Sequence, residues 1–444
     1  MEHKESELLV YSPVVNARIN YIFQLILGEL IGIDYHLVTD NLLFNSFQGA
    51  KLNYSASQIE DSIQIVPAGL LDEKGINSHQ LRFIHYTDHK VPFPVYHKNA
   101  DFPFDLFSAA FFMVTRYEEY LPYIQDNYGR FSALSSIAVQ NDFLHIPVVN
   151  RWADDLGRLL KTKFPQVELR DKEYTFLPTI DIDAAWAYKN KGLIRTIGGC
   201  FKSLLTGDFS DFRRRLKVLS GLANDPFDTF ELLKELHQNL DVKPFYFILF
   251  AGYGLNDKNI PTNNAAFQVL VKSLADYARI GIHPSYASNS NPELLEEEIG
   301  NLSAVLHMDI RASRQHFLKI SMPATYRNLI ENDITDDYTM GFAARPGFRA
   351  GICSTFKWFD LESEVVTNLK IHPFAIMDGT LRDYMLVDAS EAMNHIQPLI
   401  DEVKNANGTF ISLWHNESLS DENRWKGWVD VYKELIYSAS DNNK

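Results

Sequence analysis

The chain alternates between helical and extended hydrophobic patterns, and the patterns change character about two-fifths of the way along. In VVNARINYIFQLILGELIG, residues 14–32, apolar side chains recur at helical spacing, with Asn16 and Arg18 on the polar side. The longest apolar stretch, Tyr21 to Ile33, contains Gln24 and Glu29 and falls short of a spanning segment, so it predicts a buried helix. FNSFQGAKLNYS and DSIQIVPAGLL follow as short runs punctuated by Gly and Ser, the pattern of strands and turns. DLFSAAFFMVTRYEEYLP predicts a helix closed by Pro122, and NDFLHIPVVNRWADDLGRLLKTKFP a second ended by Pro165. The charged segment ELRDKE sets a domain boundary near residue 172. A smaller mixed α/β module is thus expected over 1–172 and a second domain over 173–444.

Beyond that boundary, apolar runs of strand length recur, and each stops at a polar residue. TFLPTI ends at Asp181, ARIGI at His283, DIRASRQHF around Arg314 and His316, and TFISLW at His415. KPFYFILF, DDYTMGF and LKIHPF complete a set of seven, the last followed by Asp378. Helices lie between several of them. NPELLEEEIGNLSAVLHM carries Asn291 as N-cap and Pro292 in the first turn, and SEAMNHIQPLIDEVKNANG stops at Gly408 with a bend expected at Pro398. Such alternation implies parallel strands with right-handed crossovers, in an open sheet or a barrel. Neither GxGxxG nor GxxxxGK[ST] follows a strand, which favours the barrel. In a barrel, functional groups gather at the C-terminal strand ends, where these polar residues fall.

Composition narrows the function classes. The 444 residues are 46% hydrophobic and 22% charged, a globular balance. Lys and Arg number 42 against 57 Asp and Glu, a net charge of −15, which excludes nucleic acid as a partner and argues against an anionic membrane as the main one. Cys200 and Cys353 are too few for a disulfide framework or a Cys-rich zinc knuckle. The opening MEHKESELLVYSP has charges where a signal peptide needs an apolar core, so a cytoplasmic protein without a transmembrane segment is expected.

The candidate chemistry sits at the strand ends. In Thr179-Ile180-Asp181-Ile182-Asp183 the two carboxylates point the same way if the strand continues through them. One could bind a metal while the other takes a proton from water; equally, both could cap the next helix. His283, His316 and His415 share strand-end placement, whereas His36, His97 and His237 read as surface residues. Arg314 could hold Asp181 ionised, or pair with a helix acid. Asn416 and Glu417 could fix the His415 tautomer or begin a turn. GFRAGICSTFKWFDL and HPFAIMDGTL combine Arg349, His372 and Asp378 with aromatics such as Trp358. Together with Trp414 these are candidate sugar contacts, or packing at a domain rim.

The ordered set TIDID, IGIHPS, RQHF and SLWHN resembles the metal-dependent polysaccharide deacetylases, the NodB-homology carbohydrate esterases of family four. The resemblance covers roughly residues 173 to 444 and implies a distorted seven-stranded (β/α) barrel of the deacetylase type. It also implies a bacterial hydrolase that removes acetyl groups from N-acetylated sugars with a divalent metal, zinc. The front part resembles an uncharacterised module that precedes such domains. By this resemblance Asp181 is the catalytic base, Asp183 and His283 are metal ligands, Arg314 orients Asp181, and His415 protonates the leaving amine. The second family histidine falls at Ala287, a departure that leaves two ligands where catalytic zinc uses three. His316, in the place of the family's proline, is the expected replacement. Hydrolysis of another carbon–nitrogen bond and an inactive carbohydrate-binding protein are the competing readings.

Overall fold

The computed structural model describes residues 7–440 and divides into two compact units. The first comprises Met1–Tyr174, Gly347–Pro373 and Glu402–Thr409; the second comprises Thr175–Pro346, Phe374–Asp401 and Phe410–Lys444.

In the first unit, β1 (Leu8–Tyr11), β2 (Tyr35–Val38), β3 (Ala50–Tyr54) and β4 (Ile63–Ile65) form a parallel sheet in the order β2-β1-β3-β4. A short hairpin joins β5 (Phe83–Tyr86) to β6 (His89–Pro92). The first apolar run forms a helix at Ala17–Phe23 that widens into a π-helical segment over Gln24–Ile31 and ends at left-handed Gly32. The Asn16 side chain caps it by accepting from Ile19 N at 2.9 Å. Arg18, expected on a polar face, is buried instead. Its guanidinium donates to Glu364 and to the carbonyls of Leu70 and Gly75, so the desolvated charge is matched. The next helix, Leu106–Val114, is buried at all nine positions and capped by Asp105; it stops short of Pro122 because Arg116 turns left-handed. Val148–Lys163 forms the second expected helix.

The second unit opens with β7 (Thr175–Ile182), β8 (Phe245–Ile248), β9 (Arg279–Ile282), β10 (Ala312–Ser313) and β11 (Asp336–Asp337). A hairpin of the first unit follows, β12 (Phe356–Asp360) antiparallel to β13 (Val365–Ile371), and then β14 (Ile376–Met377) and β15 (Thr409–His415). Within the second unit the strands lie in the order β11-β10-β9-β8-β7-β15-β14. From β11 through to β7 each strand runs parallel to its neighbour, and β14 runs parallel to β15. First and last strands are thus neighbours, and the ends of the row are β11 and β14. Phe374 N, just before β14, donates to Met340 O, just after β11, at 3.2 Å. Side chains from most of these strands meet in one apolar cluster that includes Phe245, Phe247, Tyr338, Phe374 and Leu413. Gly341 is required there, since a Cβ would lie 2.2 Å from the Phe374 ring.

One expected strand is placed differently. Leu369–Ile371 lies in β13, and the sixth parallel strand is the two-residue β14. The exposure pattern gives the reason: β13 is largely exposed with only Leu369 and Ile371 buried, as suits an antiparallel strand with one solvated face, whereas Ile376 and Met377 are both buried. The helix Pro292–Leu306 forms with the Asn291 side chain accepting from Leu294 N at 3.2 Å. The helix Ala392–Asn405 contains Pro398. Among the described residues no helix is long and apolar enough to cross a membrane.

His237, read as a surface residue, is buried, with Nε2 2.7 Å from the Tyr432 hydroxyl. It occupies the inward face of its helix, and burial pushes its pKa down to about 4. The unfolded chain takes up this proton as pH falls below the ordinary value of 6.5, while the folded chain refuses it until about 4. Stability is therefore lost across that window. In denaturant titrations the wild type should lose roughly 3 kcal/mol more than His237→Gln between about pH 7 and 4. Parallel pH profiles for the two would show that His237 does not carry this loss.

Candidate metal centre and active site

Three strand ends deliver three ligand-type side chains to one place. Asp183 follows β7, His283 follows β9, and His316 follows β10. One donor atom from each lies within 4.8 Å of the other two. His283 Nε2 is 3.2 Å from Asp183 Oδ1, and His316 Nε2 is 3.4 Å from Asp183 Oδ2. The two imidazole rings are 4.9 Å apart, centre to centre.

Both imidazoles are held from behind. His283 Nδ1 faces the Arg314 carbonyl at 2.5 Å, and His316 Nδ1 faces Asp257 Oδ1 at 2.8 Å. Fixing Nδ1 leaves Nε2 to point at Asp183, the arrangement that orients histidine ligands around metals. The turn that presents His316 is strained, since Phe317 and Leu318 are both left-handed. It brings His316 to within ligand distance of Asp183 and His283, the place for which it is the expected replacement.

Asp183 tests whether the set fits a cation. Its Oδ1 is buried and makes no hydrogen bond, although His283 Nε2 lies 3.2 Å away. A buried carboxylate oxygen left with spare acceptor capacity beside two imidazole nitrogens fits a cation between them. Two imidazoles and a carboxylate are donors that a divalent cation takes. Burial opposes ionisation of Asp183, but His316, His283 and His415 hold its carboxyl well below the usual range. Burial likewise opposes a charged His316, yet Asp183 and Asp257 raise its pKa to about 9.

Asp181 and His415 flank this cluster. Asp181 is buried, with Oδ2 3.8 Å from His283 Nε2. Arg314 Nη1 donates to Asp181 Oδ1 at 2.8 Å and to Thr179 Oγ1 at 2.7 Å, while Arg314 Nε donates to Tyr338 O at 3.0 Å. His415 ends β15 with Nε2 4.0 Å from Asp183 Oδ2. Its Nδ1 and backbone N both face Asp378, each at 2.8 Å. Burial disfavours the imidazolium, but Asp378 raises the pKa well above the ordinary value.

The remaining candidates are placed elsewhere or otherwise engaged. Asp378 accepts from His415 and from Gly379 N, so its carboxylate orients His415. Trp414, adjacent to His415, faces the opposite side of β15, as strand alternation requires, and packs against Tyr432 and Trp428. Arg349, Trp358 and His372 belong to the first unit. Arg349 is buried in an ion pair with Glu119 at 2.6 Å, Trp358 is buried, and His372 Nδ1 faces Thr355 Oγ1 at 2.9 Å.

Sequence reasoning missed Asp257, Thr179 and Glu298. Asp257 lies in the loop after β8, well beyond the strand end, where no local pattern marks it. Glu298 sits within a helix and accepts from Ser285 N at 2.9 Å, fixing the turn after His283. No local pattern marks it.

A family described only as a family of unknown function (DUF7033) matches residues 8–165. No curated protein matches the chain. Among solved structures, a putative polysaccharide deacetylase from Mycobacterium smegmatis is similar at 13% identity and a TM-score of 0.40, covering 62% of this chain and 87% of that one. A probable polysaccharide deacetylase from Pseudomonas aeruginosa PAO1 is similar at 10% identity and 0.38, covering 61% and 86%. An allantoinase is similar at 10% identity and 0.38, covering 61% and 85%.

The hydrogen bond behind His316 gives a direct test of the cluster. Asp257→Asn should weaken zinc binding by about 10- to 100-fold, and Asp183→Ala should abolish it, measured by competition with a chromogenic chelator. Unchanged affinity in Asp257→Asn would mean that the Asp257 carboxylate does not support a ligand at His316.

Proposed function

We propose that the second unit is a barrel of the polysaccharide-deacetylase type and that the protein is a metal-dependent hydrolase removing an acetyl group from an N-acetylated saccharide. The observation that carries this reading is the convergence of a ligand-type triad with an Arg-held aspartate on one flank and an Asp-held histidine on the other. The hydrogen bond from Phe374 N to Met340 O and the shared apolar cluster support a rolled, distorted barrel. All five groups come from the C-terminal ends of its strands, where such barrels place their chemistry.

Asp183, His283 and His316 would hold the cation, and zinc is the ion their donors suit. A bound divalent ion supplies Lewis acidity to the acyl carbonyl and to the attacking water. Asp181, aimed by Arg314, accepts the proton of that water at its carboxylate. Oxygen becomes bonded to the acyl carbon as the carbon–nitrogen bond breaks. His415, with Nδ1 fixed by Asp378, gives a proton from Nε2 to the departing nitrogen. That donor favours amides over esters, because an amine leaves poorly until it is protonated. The products are acetate and a free amino sugar.

The test is acetate release from N-acetylglucosamine oligomers by the zinc-loaded chain. Asp181→Asn and His415→Ala should each keep the metal and lose about 10²–10⁴-fold in rate. On an acetyl ester of nitrophenol, whose leaving group needs no proton, His415→Ala should lose far less. Near-normal deacetylation by both variants would refute the mechanism. A wild type that binds zinc but cleaves only other amides would move the assignment to another carbon–nitrogen bond. One that binds saccharide without zinc or turnover would be a binding protein.

A further inference from the structure

The segment directly after the Asp181–Asp183 strand folds into two helices, Leu193–Leu205 and Phe209–Leu219, joined by Thr206, Gly207 and Asp208. They pack on one another: Ser203 Oγ and Arg215 both bond to Asp211, and Gly199 lies against the Arg215 guanidinium. Their amphipathicity is inverted. In the first helix Ser203 is buried and Arg195, Thr196 and Gly199 are half-buried. The apolar positions face out: Ile194 is 88% exposed, Ile197 58%, Phe201 62% and Leu205 75%. Their spacing of three or four residues puts them on one stripe. Phe209, Leu216, Leu219 and Leu222 are also exposed on or just after the second helix. An apolar stripe turned away from the protein needs a partner, because exposed apolar patches of this kind mark interaction surfaces.

Charge selects the partner. Between residues 189 and 222 there are eight Lys and Arg and only two Asp, in a chain of net charge −15. Arg195, Arg214 and Arg215 are tied to protein groups. Lys202, Arg213 and Lys217 are exposed and form no ion pair among the described residues. Isoleucine, leucine and phenylalanine on one face with unpaired cations beside them is the composition of a helix that lies in the plane of an anionic bilayer. A protein partner could also cover an apolar face, but the unpaired cations along it favour a surface dense in negative headgroups. The whole-chain charge conceals this, because the acids lie elsewhere.

We propose that this helical hairpin docks the protein on an anionic lipid surface, with its exposed apolar stripe entering the interface and Lys202, Arg213 and Lys217 meeting the headgroups. The hairpin begins ten residues beyond Asp183, so docking would bring the candidate centre to substrates held at a membrane. The docking does not depend on the deacetylase reading, and its test needs no turnover.

The experiment is co-flotation of the full chain with vesicles of equal parts phosphatidylcholine and phosphatidylglycerol, against phosphatidylcholine alone. The wild type should float with the mixed vesicles, less with neutral ones, and less again in high salt. Ile194→Asp combined with Leu205→Asp should reduce the bound fraction by roughly tenfold or more. Circular dichroism would confirm that this variant is folded. As a milder probe, Leu205→Trp should show blue-shifted fluorescence when mixed vesicles are added. A wild type that does not float and a Leu205→Trp whose emission does not move would overturn the proposal. So would a dimer, detected by light scattering, that the Asp variant dissociates while neither protein binds vesicles.

Discussion

Arg314 is the residue on which the second unit turns. Its guanidinium is fully buried, and a buried charge is tolerated only when it is paired and hydrogen-bonded. The matching partners come from separate strands: Asp181 and Thr179 from β7, and the carbonyl of Tyr338 beyond β11. The Phe247 ring of β8 and the Phe374 ring before β14 lie under the same cation, at 4.5 and 5.7 Å. Its own carbonyl faces His283 Nδ1. One side chain and its backbone therefore orient the candidate base, fix the ring of a candidate ligand and tie together separate strands.

This dependence explains why the strands can be so short. β10, β11 and β14 have two residues each, too few for a ladder to fix register alone. Polar ties at the strand ends fix it instead. Thr179 Oγ1 donates to Ser412 O between β7 and β15, and Asp378 binds both the backbone and the ring of His415. The groups proposed for chemistry and those that hold the sheet together are largely the same. Replacing one partner of the buried pair would disturb fold and site together, so Asp181→Asn, which preserves shape, is a cleaner probe than truncation.

Much of this was legible in the sequence because strand-end chemistry is local. TFLPTI, ARIGI and TFISLW announce strands, and the polar residue after each is delivered to the same end. His316 could be named as a candidate third donor because Ala287 left a gap and RQHF lay on the neighbouring strand, and it lies beside Asp183 and His283. Asp257 could not be found, since its role depends on a loop folding back over His316. Asp378 stood out for the wrong reason: a carboxylate after a strand suggests ligand contact, and only the fold reveals that His415 uses both its oxygens. Arg349 was drawn to the sugar-contact set by its aromatic neighbours, yet Glu119, 230 positions away, neutralises it. The inverted hairpin escaped for another reason. Periodicity reports an apolar stripe without saying whether it faces in or out, and averaging charge over the whole chain erased the local excess of cations.

The most direct test of the central claim is anomalous diffraction at the zinc edge from crystals of the full chain grown with zinc. The account predicts one strong peak, about 2.0–2.1 Å from His283 Nε2 and His316 Nε2 and bound by the Asp183 carboxylate, with Asp181 and His415 outside the coordination sphere. A peak that leaves His316 unliganded, or no peak between these side chains, would contradict it.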